Sequence, residues 1–318
     1  AALHLSLNAI DIGKGDEVIL PTNTFIATAE AVVYSGARPI LCDIEASNHN
    51  INVDLIEKLI TPKTRAIIPV HFGGHPCDMD EILKIARQYN IKVIEDAAHA
   101  LPSAYKKRRI GSIADATCFS FYATKTLTTG EGGMVTTNNK DIAERITLQR
   151  LHGIKGDSWN RCQKDNEWYY EVIDIGYKYN ITDIQSSMGL IQLEKLEHMR
   201  GERKKIAEKY MNAFSGKIEY ITELNYSESS WHLFVIKVSN RDELYQKLKE
   251  KGISTSVHFI PVHKHPYYRE RFSYSDKDYP IANTVYEQSL SLPIYPGLSN
   301  DEIYYIIQHV LQYVESVN

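Results

Sequence analysis

Apolar and polar residues alternate in blocks from the start of the chain to about residue 155, where short apolar runs are separated by amphipathic stretches. Such runs are typical of parallel strands that are buried on both faces. The predicted strands are Val18–Leu20, Pro39–Cys42, Ala66–Val70, Lys92–Glu95, Thr117–Phe121 and Gly133–Thr136. The pattern therefore predicts an α/β protein with a mainly parallel central sheet and helices on both faces.

Amphipathic helices are predicted where apolar residues recur every three or four positions. Between the strands this spacing occurs in Asp78–Tyr89 and Lys140–Leu151. Beyond residue 200 the pattern predicts a smaller C-terminal α/β unit. Its predicted elements are strands at Trp231–Val238 and near Ser254–His258, and helices at Asp242–Lys251 and from Asn300 onward.

A long helix is predicted to begin after Thr182. Thr182 and Gln185 match a capping box, in which each side chain binds a free backbone amide of the other residue. The apolar stripe of this helix lies within Ile184–Leu196 and is followed by a charged stretch. A chain of 318 residues exceeds what one hydrophobic core usually holds. We therefore expect the helix to link a large domain, residues 1–200, to a small domain, residues 201–318.

Composition and charge narrow the class of protein. Apolar residues make up 43% of the chain and charged residues 24%, close to the average of soluble globular proteins. The formal net charge is -4, and the basic residues are spread over predicted helical faces, so no nucleic-acid partner is expected. No apolar run approaches the roughly 18 to 20 residues that span a bilayer, so no membrane partner is expected. These properties favour an enzyme-sized cytoplasmic protein.

The cysteines and histidines give no sign of a metal site. Cys42, Cys77, Cys118 and Cys162 are far apart in sequence and form no C-x-x-C pair, so neither a zinc site nor a disulfide framework is predicted. Three histidines lie within His258–His265, but no carboxylate or cysteine set is near them and their spacing matches no zinc motif. We expect no metal and reduced thiols.

The first candidate for chemistry is Asp96, at the end of a predicted strand. The segment Ile91–Ala100 is an apolar strand that ends in Glu95 and Asp96 and continues with small residues. Ligands of open α/β sheets bind beyond the carboxyl ends of strands, so this carboxylate would face a ligand crevice. The small residues would let a flat ligand approach closely. A helix N-cap is the alternative role for an isolated Asp at such a position.

The second candidate is Lys125, which follows the next buried strand and precedes the glycine-rich turn Gly130–Gly133. Ser120 and Thr124 suit an anionic group, and the glycines let the backbone pack tightly under a cofactor. An ordinary surface position is the alternative for this lysine. A lysine and a carboxylate at the ends of nearby strands are what pyridoxal phosphate chemistry requires. The amine forms a Schiff base, and an ionised Asp keeps the pyridine nitrogen protonated.

Several ordered motifs together resemble the DegT/StrS family of sugar aminotransferases. They are Glu95–Ala100, Phe119–Lys125, Gly130–Gly133 and Gly176–Gln185, with further similarity at Pro21–Ala29 and Ile68–His71. The resemblance covers essentially the whole chain. It implies a fold type I enzyme that uses pyridoxal 5'-phosphate, and a homodimer whose active sites are shared between the subunits.

The resemblance also implies roles for individual residues. Carried over by motif, Lys125 forms the internal aldimine and moves the proton between substrate carbon and cofactor, and Asp96 pairs with the pyridine nitrogen. His99 would lie by the ring and its 3-hydroxyl, Phe25 would stack on the ring face, and Ser120 would bind the phosphate. A core aromatic at a helix start is the alternative for Phe25.

Further candidates belong to the partner and substrate sides of the site. Asn180 would reach the phosphate of the other subunit's cofactor, with a turn residue before the capped helix as the alternative. His258 lies in a loop that contributes to the sugar-nucleotide pocket of the resembled family, and His152 is a second substrate-contact candidate. Trp231 and His232 are expected at the core and edge of the small domain.

The beginning of the chain bears on the phosphate site. Ala1 opens directly in a helical pattern and is not an initiator Met. Members of the resembled family carry an upstream segment ending in Gly-Thr or Ala-Thr, whose Thr contacts the phosphate, and Ala1 matches the residue after it. Ala1 is therefore a cofactor-binding candidate, and we expect a sequence whose beginning is missing.

The expected reaction is transfer of an amino group, with glutamate as donor, to a 4-keto group of a nucleotide-linked sugar. The Tyr-Lys-Tyr-Asn form of residues 177–180 and the insert Trp168–Tyr170 resemble enzymes of UDP-linked 4-amino sugars, such as UDP-4-amino-4-deoxy-L-arabinose aminotransferase. One alternative is the family's sugar dehydratase branch, which replaces the aldimine lysine with histidine, and Lys125 argues against it. Another is a regulatory or binding protein that kept the fold without the chemistry.

Overall fold

The computed structural model describes residues 1–155 and 169–317, with Val317 as backbone alone, so that Cys162 and Trp168 lie outside the described residues. The strands in chain order are β1 (Glu17–Pro21), β2 (Arg38–Cys42), β3 (Thr64–Ile67), β4 (Lys92–Asp96), β5 (Ala104–Tyr105), β6 (Arg108–Arg109), β7 (Ala116–Ser120), β8 (Gly133–Thr136), β9 (Ile154–Lys155), β10 (Glu171–Val172), β11 (Glu219–Tyr220), β12 (Ser227–Glu228), β13 (Phe234–Lys237) and β14 (Ser289–Leu292). The helices are α1 (Ala2–Ala9), α2 (Ile26–Tyr34), α3 (Val53–Leu59), α4 (Met79–Tyr89), α5 (Lys140–Gln149), α6 (Asp183–Phe214), α7 (Arg241–Glu250), α8 (Pro266–Phe272), α9 (Pro280–Gln288) and α10 (Asn300–Val317).

The central sheet has the strand order β2-β1-β3-β4-β7-β8. Every neighbouring pair in it is parallel except β7 with β8, which confirms the predicted mainly parallel α/β architecture. The six strands predicted for the central sheet are all present, with ends that differ from the predicted ends by at most three residues. The largest difference is in β3, which ends at Ile67 and not at Val70, because Pro69 has no N–H to donate to the ladder.

Helices bury both faces of this sheet. Val18 and Leu20 of β1 pack into one core together with Leu7 of α1, while Ile19 packs into a second core on the opposite face with Ile82 of α4. Successive side chains of a strand point to opposite faces, and here both sets are covered. This is why the strands read as continuous apolar runs rather than as alternating patterns.

The helix α6 connects the sheet to the C-terminal part of the chain. It is 32 residues long and begins with the predicted capping box, in which the Gln185 amide donates to Thr182 Oγ1 at 3.3 Å and the Thr182 amide donates to Gln185 Oε1 at 3.2 Å. Leu196 packs into the second core of the sheet, and Tyr210 and Phe214 pack into a third core. The two ends of this helix therefore pack into different cores.

The third core belongs to a three-stranded antiparallel sheet of order β11-β13-β14. Phe234 and Leu290 from this sheet pack with Leu244 of α7 and Ile306 of α10. This is the smaller C-terminal α/β unit that the sequence pattern predicts.

Of the two strands predicted in this unit, one is confirmed with shorter bounds and the other was wrong. The strand predicted at Trp231–Val238 is β13, which begins only at Phe234, because Trp231 has a φ of 52°, in the left-handed region that an extended strand does not use. The segment Ser254–His258 is not a strand and makes only a single bridge, from Ser256 to Ser291. The neighbour of β13 is instead β14, which the pattern did not predict, so β13 already has partners on both edges.

One C-terminal segment returns to the central sheet. Between β13 and β14, several side chains pack into the first core beside β1 and α2, and they are Val262, Tyr268, Tyr279, Ala282 and Val285. The C-terminal part of the chain therefore contributes to two different cores. The division into domains at residue 200 stays a prediction.

Candidate active site

The carboxyl ends of β4 and β7 lie side by side, because the two strands pair in parallel with Asp96 opposite Cys118. β4 ends at Asp96 and β7 ends at Ser120, so the residues that follow both strands meet at one edge of the sheet. Lys125 lies in the loop that follows β7. This edge is where open α/β sheets bind ligands.

The loop around Lys125 is held by its neighbours. The Lys125 amide donates to the Tyr122 carbonyl at 3.0 Å, the Thr126 hydroxyl donates to the Leu101 carbonyl, and Leu127 packs into the second core. The Lys125 side chain is itself partly buried. The structure therefore does not place this lysine in an ordinary surface position.

The Asp96 carboxylate is 6% exposed and accepts hydrogen bonds at both oxygens. Thr28 Oγ1 donates to Oδ2 at 2.7 Å, and the Ala98 amide donates to Oδ1 at 3.1 Å. No helix begins in Ala97–Ala100, so the alternative role of a helix N-cap is wrong. The side chain is a fixed buried anion at the end of a strand.

Burial lowers the pKa of Lys125 below its ordinary value, and the nearby Asp96 carboxylate opposes this shift. An amine of lowered pKa is unprotonated in a larger fraction at neutral pH, and only the unprotonated amine attacks a carbonyl carbon. The site thus holds a nucleophilic amine within electrostatic reach of a fixed anion.

Three imidazoles lie within electrostatic reach of this amine. Burial lowers the pKa of His258 to about 4 and the pKa values of His99 and His232 well below the ordinary value. The positive charge of Lys125 acts in the same direction on all three. The rings are therefore neutral at neutral pH and act as hydrogen-bonding and stacking groups rather than as cations.

His99 is held between other rings. Its centroid is 4.3 Å from that of His232 and 5.9 Å from that of Phe259, with which it stacks at 27°. The Gly73 amide donates to His99 Nδ1 at 3.3 Å. A neutral imidazole that accepts at Nδ1 carries its proton on Nε2, so His99 presents an N–H donor on its other edge.

The turn that carries His99 is tied to the segment before β13. Ser230 Oγ donates to the His99 carbonyl at 2.5 Å, and the Ser230 amide donates to the Gly74 carbonyl at 3.3 Å. A Cβ on Gly74 would lie 2.0 Å from Ser230 Oγ. Gly74 has a φ of 96°, so both the backbone conformation and the close approach require glycine. This contact brings His232 against His99.

Phe25 and Ser120 flank the same edge of the sheet. Phe25 is the residue before α2, is 59% exposed, and has its ring centroid 5.8 Å from that of Phe259. The alternative of a core aromatic is therefore wrong. Ser120 is partly buried, and its Oγ accepts from the Tyr122 amide at 3.3 Å.

The residues present fit pyridoxal phosphate. An amine of lowered pKa, Lys125, can bind an aldehyde covalently, and a buried carboxylate, Asp96, can pair with a protonated pyridine nitrogen. Neutral aromatic and imidazole rings line the same edge. Within residues 1–155 and 169–317 no group of three or more His, Cys, Asp or Glu is arranged to hold a metal ion.

Residues 1–311 match the profile of the DegT/DnrJ/EryC1/StrS aminotransferase family. The chain belongs to this family. The aminotransferase is 50% identical to an uncharacterized protein of Methanocaldococcus jannaschii, over 99% of this chain and 83% of that protein. It is 45% identical to the spore coat polysaccharide biosynthesis protein SpsC of Bacillus subtilis, over 100% of this chain and 84% of that protein.

Solved structures agree with this placement. The aminotransferase superposes on Spr1654 of Streptococcus pneumoniae, described as a sugar aminotransferase and determined in its PMP form, with a TM-score of 0.93 and 33% identity over 100% of this chain and 86% of the other. The family uses pyridoxal phosphate, so the chain is a fold type I, pyridoxal-phosphate-dependent aminotransferase.

Three predicted site residues of the aminotransferase make contacts within or near their own segments. The Ala1 carbonyl accepts from the Leu5 amide in the first turn of α1, and Lys178 Nζ donates to Asn180 Oδ1 at 2.6 Å. His152 is exposed, with a φ of 58°, and its amide donates to the Tyr177 carbonyl at 2.9 Å. Their contacts with cofactor and substrate stay predictions.

His232 is the site residue that the sequence did not reveal. It was expected at the edge of the small domain, whereas the structure places its ring against His99, with the two ring planes tilted by 36°. Trp231 does lie in the third core, as expected. The available signal was a histidine inside an otherwise apolar run, Trp231–Ile236, which a strand edge explains equally well.

Proposed function

We propose that this aminotransferase moves an amino group from glutamate to the keto group of a nucleotide-linked sugar, with a UDP-linked 4-keto sugar as the first candidate. The observation that carries the proposal is the Lys125 amine of lowered pKa beside the buried Asp96 carboxylate. The sugar class is supported by the relatives, of which one is named for polysaccharide biosynthesis and another is described as a sugar aminotransferase.

Each residue would have a separate task. Bound pyridoxal phosphate supplies an electron-withdrawing ring that stabilises negative charge on the carbon from which a proton is removed. Asp96 would orient the ring and hold the proton at its nitrogen, while Lys125 would hold the cofactor covalently before substrate arrives. Ser120 would bind the phosphate, and Phe25 and His99 would cover the ring faces and exclude water.

Lys125 is also the group that would move the proton between the substrate carbon and the cofactor. The pKa values of His99, His232 and His258 are all lowered by burial, so these rings hold a proton poorly near neutral pH. An amine released from its covalent bond is a stronger base in the same place. The imidazoles would then orient the cofactor and the sugar, with His258, whose Nδ1 lies 2.8 Å from Ser291 Oγ, on the substrate side.

A second copy of the chain would complete the site. The first turns of α6 expose apolar side chains, and so does the segment before them; these residues are Ile173, Ile175, Ile184, Met188, Leu190, Ile191 and Leu193. Contiguous exposed apolar surface of this kind marks an interaction site. Asn180 lies between the two halves of this surface, so a homodimer formed there would bring Asn180 close to the partner, as the sharing of active sites requires.

The proposed location is the cytoplasm. Cys42, Cys77 and Cys118 are buried free thiols, which suits a reducing compartment. In the described part of the chain, no helix has the length and apolar character needed to cross a membrane. Cell fractionation would test the location.

The decisive experiment is spectroscopic. Purified protein mixed with pyridoxal phosphate should gain absorbance in the visible, and Lys125→Ala should not. Added glutamate should then remove that absorbance as the amino group passes to the cofactor, and a panel of UDP-, dTDP- and GDP-linked keto sugars should restore it selectively. Wild-type protein that binds no pyridoxal phosphate would favour the regulatory alternative, and water elimination from the sugar without amination would favour the dehydratase.

A further inference from the structure

We propose that Thr24 and Thr28 form a directional relay of hydroxyl groups that positions Asp96 toward the pyridine nitrogen of the cofactor. The two threonines are positioning residues that act through Asp96. The inference rests on the proposed role of Asp96 and adds two side chains to it.

The relay is short and buried. Thr28 Oγ1 lies 2.7 Å from Asp96 Oδ2, and Thr24 Oγ1 lies 2.8 Å from Thr28 Oγ1. Thr24, Thr28 and Asp96 are 2%, 0% and 6% exposed. Because water has little access to these groups, each hydroxyl depends on its protein partners for hydrogen bonds.

The direction of the relay follows from proton counting. An ionised carboxylate can only accept, so Thr28 gives its single hydroxyl proton to Asp96. Thr28 then has only lone pairs to offer, and Thr24 must be the donor between the two hydroxyls. Each bond in such a chain polarises the next, so the Thr24 hydroxyl strengthens the bond that Thr28 makes to the carboxylate.

Thr28 is the third residue of α2 and lies in its first turn. A threonine hydroxyl there can bond to backbone groups close to it in sequence. The hydroxyl of Thr28 is instead directed out of the helix, at a carboxylate 68 residues later in the chain. Threonine is also a weaker helix former than the alanines on either side of it, Ala27 and Ala29. Helix propensity therefore does not account for a threonine at this position.

The relay acts on a carboxylate that is already fixed on its other side. The Ala98 amide holds Asp96 Oδ1, and the backbone of Asp96 is paired with Pro69 and His71. With the backbone and Oδ1 fixed, the Thr28 bond to Oδ2 fixes the rotation of the carboxylate group. The lone pairs that accept neither of these two bonds then face one side of the carboxylate, and we assign that side to the ring nitrogen.

The same short segment reaches the substrate side of the site. Asn23 Oδ1 accepts from the Phe259 amide at 3.2 Å, and Thr22 Oγ1 lies 2.6 Å from His263 Nδ1. The segment that supplies the relay therefore also holds the loop that follows His258. This explains why the start of α2 carries polar residues that are almost fully buried.

The test compares two cofactors that differ at one atom. Pyridoxal phosphate and its 1-deaza analogue, in which the ring nitrogen is replaced by carbon, are titrated into apoprotein, and their dissociation constants are measured from absorbance. Wild-type protein should prefer pyridoxal phosphate. Thr28→Val should weaken pyridoxal phosphate binding by about tenfold, in line with the loss of a hydrogen bond to a charged group, and leave binding of the analogue nearly unchanged.

Three further variants sharpen this test. Thr28→Ser keeps the hydroxyl and should restore the preference, and Thr24→Val should reduce it by a smaller factor than Thr28→Val. Thr64→Val is the matched control, since Thr64 is also a buried threonine with a hydrogen-bonded hydroxyl, which accepts from the Thr61 amide. Thermal denaturation shows whether each variant is folded, and Thr24→Val carries the test if Thr28→Val is not.

The outcomes separate the relay from the assignment on which it rests. A Thr28→Val protein that keeps the full preference for the ring nitrogen, or that loses affinity for both cofactors equally, overturns the relay. A wild-type protein that binds both cofactors equally overturns the role of Asp96 and the relay with it. Neither measurement involves the sugar or the amino donor, so both outcomes are independent of the substrate proposal.

Discussion

Lys125 lies where burial and a neighbouring carboxylate act on its pKa in opposite directions, and burial has the larger effect. Below its pKa the amine is protonated and cannot attack an aldehyde. The rate of cofactor capture by apoprotein should therefore rise with pH to a midpoint below about 10.4, the ordinary lysine value, and then level off. Asp96→Asn removes the opposing negative charge and should move the midpoint to still lower pH. Stopped-flow absorbance over a pH series measures both.

The control for this experiment is Asp276→Asn, which removes an exposed carboxylate that pairs with Lys264. It should leave the midpoint where it is. A wild-type midpoint at or above the ordinary lysine value would contradict the assignment of Lys125, as would an Asp96→Asn midpoint shifted to higher pH.

His232 offers a second test at the scale of single residues. His232→Ala should leave a space behind His99, lower the free energy of unfolding by about 2 kcal/mol and weaken pyridoxal phosphate binding, because His99 loses the ring against which it packs. Chemical denaturation and absorbance titration measure the two effects. His75→Ala is the matched control, since His75 is buried against Trp231 and should lose stability without losing affinity. Equal affinity losses in both variants would exclude a specific role for His232.

The contrast between Lys125 and His232 shows what the sequence can reveal about the site. Asp96 ends one buried strand and Lys125 lies in the loop after the next, so their place at the sheet edge could be predicted from local pattern alone. The place of His232 depends on the bond from Ser230 to the His99 carbonyl, which joins residues 131 positions apart. Nothing near His232 in the sequence encodes that contact.

At the scale of elements, the capping box of α6 stabilises more than a helix end. Gln185 Nε2 also donates to the Glu131 carbonyl at 2.9 Å, which ties the helix to the turn that follows the Lys125 loop. Thr182→Ala should therefore lower the free energy of unfolding by about 1 kcal/mol and also weaken cofactor binding. Denaturation and absorbance titration again give the two values. Ser299→Ala, which removes a similar cap paired with Glu302 before α10, should cost stability alone.

The elements that could be predicted are those with a periodic pattern and a local end signal. The strands of the central sheet contain short apolar runs, and α6 begins at a recognisable capping box. β14 was not predicted, because Ser289–Leu292 contains no continuous apolar run, and it forms a strand by pairing with β13. The prediction of a strand at Ser254–His258 failed because this segment, which lies beside the edge strand β14, pairs with it only through the single bridge from Ser256 to Ser291.

At the scale of the molecule, the exposed apolar surface of α6 predicts the oligomeric state. Light scattering should give twice the chain mass for wild-type protein. Leu190→Glu places a charge on a side chain that is 66% exposed in one chain and should produce monomers with reduced affinity for pyridoxal phosphate. Tyr304→Glu, at a side chain 63% exposed on α10, is the control and should stay dimeric. A Leu190→Glu dimer of unchanged affinity would place the interface elsewhere.

The return of residues 262–285 to the core of the central sheet determines how relatives of this protein can be recombined. A chimera joined at a single point within α6 would pair the sheet of one parent with the Val262, Tyr268 and Val285 side chains of the other, inside one close-packed core. Exchanging residues 206–260 together with 289–317, and keeping 262–285 from the parent of the sheet, leaves that core intact. The small unit could then be transferred between relatives as two inserted pieces, together with any substrate preference that it carries. In the sequence, these two pieces and the segment between them form one continuous stretch.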